Sequence, residues 1–241
     1  MAEPERPHAE LERAAYSVLQ KFAHNTAFSP LAMMSLKASW ESAIFAEQHL
    51  ATARTFFNAI ELRNHVVELA LPDGLFCEFG VFKGASMRGF ASKFAAMKQQ
   101  RMLYGFDSFE GFSEEWTGSP VGKRQFDVRG ALPDVPSNVE LIVGFVEDTY
   151  EKFLARPGIA QQRVAVLHID TDTFSPAKVV LTLSRPRFEV GTVILFDEFY
   201  GYPGWKQHEY RALMETAAEF GFEYEFIGFS HRSAAIRITR P

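Results

Sequence analysis

Hydrophobic positions along the chain change their rhythm once, near residue 74. Before it they recur at helical spacing. In ELERAAYSVLQKFA, residues 10–23, they fall at 11, 14, 15, 18, 19 and 22, one face of an amphipathic helix. Residues 29–50 open on Ser29-Pro30, a cap followed by proline at the first helical position, and predict a second helix. Residues 52–71 predict a third, stopped by the turn signal Pro72-Asp73-Gly74. Beyond Gly74, short apolar runs alternate with amphipathic stretches. The runs predict strands at 75–80, 102–107, 139–144, 164–170 and 191–197, with helices near 84–98, 147–156, 176–184 and 206–220. The tail, 222–240, predicts two strands joined by a four-residue turn at Ser230–Ser233. Five β-α units and a hairpin give an α/β fold: a mostly parallel seven-stranded sheet with an antiparallel C-terminal hairpin and helices on both faces. Residues 1–73 are then an N-terminal helical lid or extension, and 74–241 the main domain. Residues 111–137 carry no period and are long enough to serve as a second lid.

Composition narrows the function classes. A length of 241 residues suits one large domain with an appendage. The 24 phenylalanines exceed what a core asks for, so some should line a cleft. A net charge of −5 without a Lys/Arg run gives no footprint for a nucleic-acid partner. Cys77 is the single cysteine; inside an apolar strand it reads as a buried, reduced thiol. No apolar run approaches the ~18 residues of a membrane span. The start, MAEPERPHAE, is polar and acidic, unlike a signal peptide. These features point to a cytoplasmic enzyme.

Acidic residues collect where strands end. The first strand runs into EFGVFKGAS, the second ends in Asp107, the fourth in Asp170 and the fifth in Asp197-Glu198. Ligands of open parallel sheets bind at those carboxyl ends. Like charges gathered there need cations or hydrogen-bond donors. Gly80 and Gly84 bracket a strand-to-helix turn that lets backbone approach a ligand. Their spacing, G-x-x-x-G, is neither the dinucleotide G-x-G-x-x-G nor a phosphate loop. Glu78, just before the turn, repels a pyrophosphate and suits an ammonium or sulfonium. Asp107 can accept hydrogen bonds from ribose hydroxyls, or else serve a turn.

The order E-x-G-x-x-x-G, YGFDSFEGF, GFVEDTY, I-D-x-D and FDEF resembles the class I S-adenosylmethionine-dependent methyltransferases. More closely, it is similar to the macrocin O-methyltransferase family of sugar-hydroxyl methyltransferases, over roughly residues 74–215. The resemblance implies a Rossmann-like fold. It implies that Glu78, Phe79, Gly80, Gly84 and Ser86 hold the methionine part of S-adenosylmethionine, with Asp170 also beside the cofactor. Asp107 and Ser108 would meet the ribose, and Val146 and Glu147 of GFVED the adenine. It further implies a divalent metal, Mg²⁺ or another such cation, on Asp170, Asp197 and Glu198, where glutamate replaces the usual second aspartate. Adjacent strands lie ~4.8 Å apart, so side chains from neighbouring ends can converge on one ion. Oxygen ligands favour Mg²⁺, Ca²⁺ or Mn²⁺ over zinc. Asp172 either joins them or serves the following turn, where Ser175 before Pro176 reads as a cap.

The expected reaction is methyl transfer to a hydroxyl of a sugar or other small diol-bearing acceptor. Asp170 is the first choice of general base and His208 the second. His168 reads as a satisfied core histidine. Lys206 reads as a surface charge or a contact for an anionic acceptor. The aromatic run Phe199, Tyr200, Tyr202, Trp205 either stacks on a ring or packs under the lid. The apolar faces of the N-terminal helices are compatible with a homodimer. Two other classes stay open at this level: a nicotinamide-dependent oxidoreductase, and a non-catalytic cofactor-binding module on the same fold.

Overall fold

The computed structural model of the chain describes residues 13, 16, 17, 29–116 and 121–241. Most of the helix expected at 10–23 lies outside them; residues 13, 16 and 17 are helical. The strands are β1 (Arg54–Thr55), β2 (Leu75–Phe79), β3 (Leu103–Asp107), β4 (Val139–Val143), β5 (Val164–Ile169), β6 (Val193–Phe196), β7 (Glu223–Phe229) and β8 (Ala234–Arg240). The helices are α1 (Pro30–Glu47), α2 (Ala59–Leu69), α3 (Ala85–Ala96), α4 (Val146–Leu154), α5 (Phe174–Ser184) and α6 (Glu209–Phe220). The sheet runs β1-β7-β8-β6-β5-β2-β3-β4. Strands β6, β5, β2, β3 and β4 are mutually parallel, and β8 is antiparallel to both β6 and β7. This is the doubly wound architecture expected, with the hairpin turn at 230–233.

Two expectations need correction. The sheet has an eighth strand, because Arg54–Thr55 pairs in parallel with β7. Residues 52–71 are therefore not one helix. Asn58 breaks the run: its side chain accepts from Glu61 N at 2.9 Å, and Glu61 accepts in return from Phe57 N at 3.2 Å. That reciprocal cap starts α2 and leaves residues 54–55 free to join the sheet edge. The second correction concerns α5, which begins at Phe174 with Thr173 as its N-cap residue, not at Ser175-Pro176. Pro176 sits in the first turn, where a missing N–H leaves no intrahelical bond unmade.

Every residue of β2 and β5 is buried, as strands between two helical layers require. On one face Phe76 packs with Leu62 and Val66 of α2 and Phe90 and Phe94 of α3. On the other, Phe79 and Phe106 pack with Tyr150, Phe153, Val180 and Leu213 from α4, α5 and α6, and Ala38 and Phe45 of α1 join them. Each fully buried phenylalanine contributes roughly 1.5–3 kcal/mol. Residues 54–67 thus share core with the main sheet. Among the described residues no helix is long and apolar enough to cross a membrane.

Register sets up the site. Phe79 pairs with both Phe106 and Ile169, and Ile169 pairs with Phe196. The residues that follow these pairs, Gly80, Asp107, Asp170 and Asp197, emerge along one rim. The strand order reverses between β2 and β5, which makes this rim the switch point where ligands bind.

Candidate active site

Gly80 leaves β2 with φ 93°, a left-handed value that favours glycine. Asp107, at the end of β3, holds the turn that follows. Its Oδ2 accepts from Val81 N at 2.8 Å and Phe82 N at 2.7 Å, and its Oδ1 from Phe109 N at 2.6 Å. The acid serves the turn and also lines a cleft. Glu78 is fully buried and does not line it. Side chains alternate along a strand, so Glu78 faces the α2/α3 layer with Phe76 while Phe79 faces the other way. There Ser86 Oγ donates to Glu78 Oε1 at 2.5 Å. Gly84 lies beside Pro133 and Val135.

The acids after β5 and β6 form one cluster. Asp197 Oδ1 accepts from Arg63 Nη2 at 2.7 Å and Ser233 Oγ at 3.4 Å. Arg232 Nη1 reaches both Glu198 oxygens, at 3.2 and 3.4 Å. His168 lies between two acids, 3.6 Å from Glu78 Oε2 and 3.6 Å from Asp197 Oδ1. Those distances are too long for hydrogen bonds, so the coupling is through charge. Glu209, fully buried, accepts from Thr171 N and Asp172 N through Oε1 and from Glu198 N through Oε2, all at 3.2 Å.

Burial and charge crowding shift the proton affinities of these groups. Burial, then the neighbouring Asp197, Asp172 and Glu209 carboxylates, push Asp170 well above its ordinary value. Burial, Glu198 and Asp197 push Asp172 up to about 8. Burial raises Glu198 to about 7 against the pull of Arg232. Glu209 is pushed well up by burial and by Asp172. At Asp197, burial acts upward but is outweighed by His168 and Arg63, which hold the carboxyl below its usual range. At His168, burial acts downward and is outweighed by Asp197 and Glu78.

His168, Asp170 and Asp197 each offer a ligand atom, all within 4.8 Å of one another. The two carboxylates suit a hard divalent cation such as Mg²⁺ or Mn²⁺, whereas the imidazole by itself suits a softer ion. Glu198, in the expected ligand set, lies outside this trio and faces Arg232.

The cleft, about 460 Å³, passes from Phe79, Gly80 and Asp107 to Asp170, Asp197 and Glu198. Ser108, Val146 and Glu147 line it as well. Glu147 is steadied by Ser113 Oγ at 2.8 Å. Aromatic walls come from Phe106 and from the aperiodic 111–137 segment, through Phe112, Trp116 and Phe126. That segment is fastened by Glu114, which accepts from Ser175 N at 2.8 Å and Ser175 Oγ at 2.7 Å. His208 is buried, its ring stacked 6.1 Å from that of Tyr202, and is not in the cleft wall. Phe199, Tyr200, Tyr202 and Trp205 are all buried and none lines the cleft. Lys206 pairs with Glu41 at 2.9 Å.

Sequence reasoning missed Arg63, Arg232 and Glu209, and placed His168 in the core without its acid neighbours. Arg63 left a faint signal: it falls three residues before Val66 and four before Val67, on the inward stripe of α2. Nothing local marks Glu209 or Arg232.

Residues 77–199, just over half of the chain, match the protein family described as a methyltransferase domain. The mycinamicin III 3''-O-methyltransferase of Micromonospora griseorubida is 28% identical over 197 residues, 68% of this chain and 73% of that protein. Among solved structures, the calicheamicin methyltransferase CalS11 aligns with a TM-score of 0.64 at 22% identity, covering 98% of this chain and 94% of that one. The O-methyltransferase NovP aligns with a TM-score of 0.54 at 21% identity, over 75% of this chain and 79% of that one.

Proposed function

Because the chain belongs to the methyltransferase-domain family and is a class I S-adenosylmethionine-dependent methyltransferase, we propose that it methylates a hydroxyl of a sugar or other small diol-bearing natural product with the help of a divalent cation. The observation that carries this reading is the shared cleft: the Gly80 turn and Asp107 line it together with Asp170 and Asp197. The O-methylating mycinamicin relative supports a hydroxyl acceptor.

S-adenosylmethionine supplies an electrophilic methyl group on a sulfonium. Asp107 and Ser108 would take its ribose, Val146 and Glu147 its adenine, and Phe79 and Gly80 its methionine end. Gly84 and Ser86 shape the turn, and Glu78 adds negative charge from behind it. The aromatic wall excludes water and so strengthens every charge within. A divalent cation supplies Lewis acidity that lowers the pKa of an acceptor hydroxyl. Asp170 and Asp197 would hold it, with His168 or Glu198 as a third ligand. Asp170 is the group to take the hydroxyl proton, because it lines the cleft beside the acids that would hold the cation. His208, outside the cleft wall, is the weaker choice. The protein's part in rate is alignment of the acceptor oxygen behind the methyl group.

The test uses methyl-labelled cofactor and a panel of deoxysugar glycosides and nucleotide sugars, with and without EDTA. Asp197→Asn is expected to cut turnover by roughly a hundredfold or more while S-adenosylhomocysteine affinity stays within about threefold. Turnover indifferent to EDTA, or equal loss of turnover and cofactor affinity, would remove the cation from the reading.

A further inference from the structure

The two acids that follow β6 are already paired with cations of the chain itself. Glu198 faces Arg232 from the β7–β8 turn, and Asp197 faces Arg63 from α2. Arg63 lies outside residues 77–199, the span of the family match. Its guanidinium also feels the charges of Asp170 and Glu78. It is held by little else: Arg63 Nε is buried without a hydrogen-bond partner, and the 2.7 Å contact from Nη2 reaches a single carboxylate oxygen. A bidentate fork, the strong form of an arginine–carboxylate pair, is not made. Two further buried groups beside it lack hydrogen-bond partners, both ring nitrogens of His168 and Oε2 of Glu78. The site therefore holds an arginine bound mainly by charge, next to polar atoms with coordination to spare.

We propose that Arg63 is the resident counter-cation of the acid cluster, and that a divalent ion binds at Asp170 and Asp197 only in competition with it. The inference rests on the reading above that a divalent cation is held there. A dication and a guanidinium on the same carboxylate repel each other where both side chains are only 22% and 20% exposed and screening is reduced. Nη2 engages only Oδ1 of Asp197, so the ion can enter at Oδ2, and charge repulsion then drives Arg63 off the carboxylate. While the ion is absent, Arg63 offsets part of the repulsion among Asp170, Asp197 and Glu78.

For ion binding, the consequence is opposite in sign to that of removing a ligand. Loss of Arg63 should tighten ion binding and destabilise the ion-free protein. The test titrates the full chain with Mn²⁺, following free Mn²⁺ by its paramagnetic resonance signal, for the natural protein, Arg63→Gln and Arg63→Met. The methionine variant keeps an apolar stem in the packing if glutamine impairs folding. Both variants are expected to bind Mn²⁺ roughly tenfold tighter or more. In chelating buffer they should melt below the natural protein, and Mn²⁺ should raise their Tm by the larger amount. Unchanged or weaker Mn²⁺ binding by the variants overturns the competition and leaves the cation reading standing. Absence of Mn²⁺ binding in all three proteins overturns both, with S-adenosylhomocysteine binding as the separate check on the cofactor cleft.

Discussion

A methyl group on Gly80 would stand 1.9 Å from the carbonyl oxygen of Asp170. Asp170 N in turn donates to Phe79 O at 2.8 Å. The ends of β2 and β5 meet backbone to backbone, and the missing side chain sets the distance from the Gly80 turn to the acids. Gly80→Ala is expected to cost roughly 2–5 kcal/mol of stability, from strain and steric overlap together. It should also weaken S-adenosylhomocysteine binding by roughly tenfold or more, since the turn must move. Thermal melting and calorimetric titration check both; values like those of the natural protein would strip Gly80 of that role. This glycine was legible because it follows an apolar strand and precedes a helix. So were Asp107, Asp170 and Asp197, each ending such a strand. Arg63 was not, because a charged residue in an amphipathic helix reads as solvent-facing until the packing of α2 is known.

The N-terminus of α6 ties two other elements together. Glu209 accepts from the amides of Thr171 and Asp172 after β5 and of Glu198 after β6. A carboxylate is well placed at a helix start, where the backbone N–H groups point. Removing it leaves three amides without this acceptor. Glu209→Ala is expected to cost roughly 2–4 kcal/mol, and Glu209→Gln, which keeps one acceptor oxygen, clearly less. Urea unfolding of the two variants measures the difference; equal midpoints would show that these amides find water instead. At this scale the pattern of apolar positions was most informative for β2, β5, β6 and the β7–β8 hairpin, whose runs are long and cleanly bounded. It failed at β1, where two residues are too few to carry a period and the flanking Phe56-Phe57 continued the helical spacing. It was silent on 111–137, whose role comes from where Trp116 and Phe126 land, not from their spacing. The start of α5 was misplaced because Ser175-Pro176 imitates a cap, whereas Ser175 bonds Glu114 from another segment.

Across the whole molecule, the acid cluster is assembled from distant parts of the chain. Arg63 comes from α2, Asp170 and Asp197 from the central strands, Glu209 from α6, and Arg232 and Ser233 from the last turn. The matched span, 77–199, contains the central strands and neither arginine. The acid cluster is therefore balanced electrically by parts of the chain outside the matched span. That balance was invisible in the sequence, because it depends on which helix covers which face of the sheet. The direct measurement is anomalous diffraction at the manganese edge from crystals holding S-adenosylhomocysteine and Mn²⁺. The expected map shows the nucleoside along Asp107 and Val146, the sulfur end toward Asp170, and a manganese peak ligated by Asp170 and Asp197. A nucleoside bound there with no manganese peak at those two aspartates, or a peak at other acids, would contradict a cation-assisted methyl transfer in this cleft.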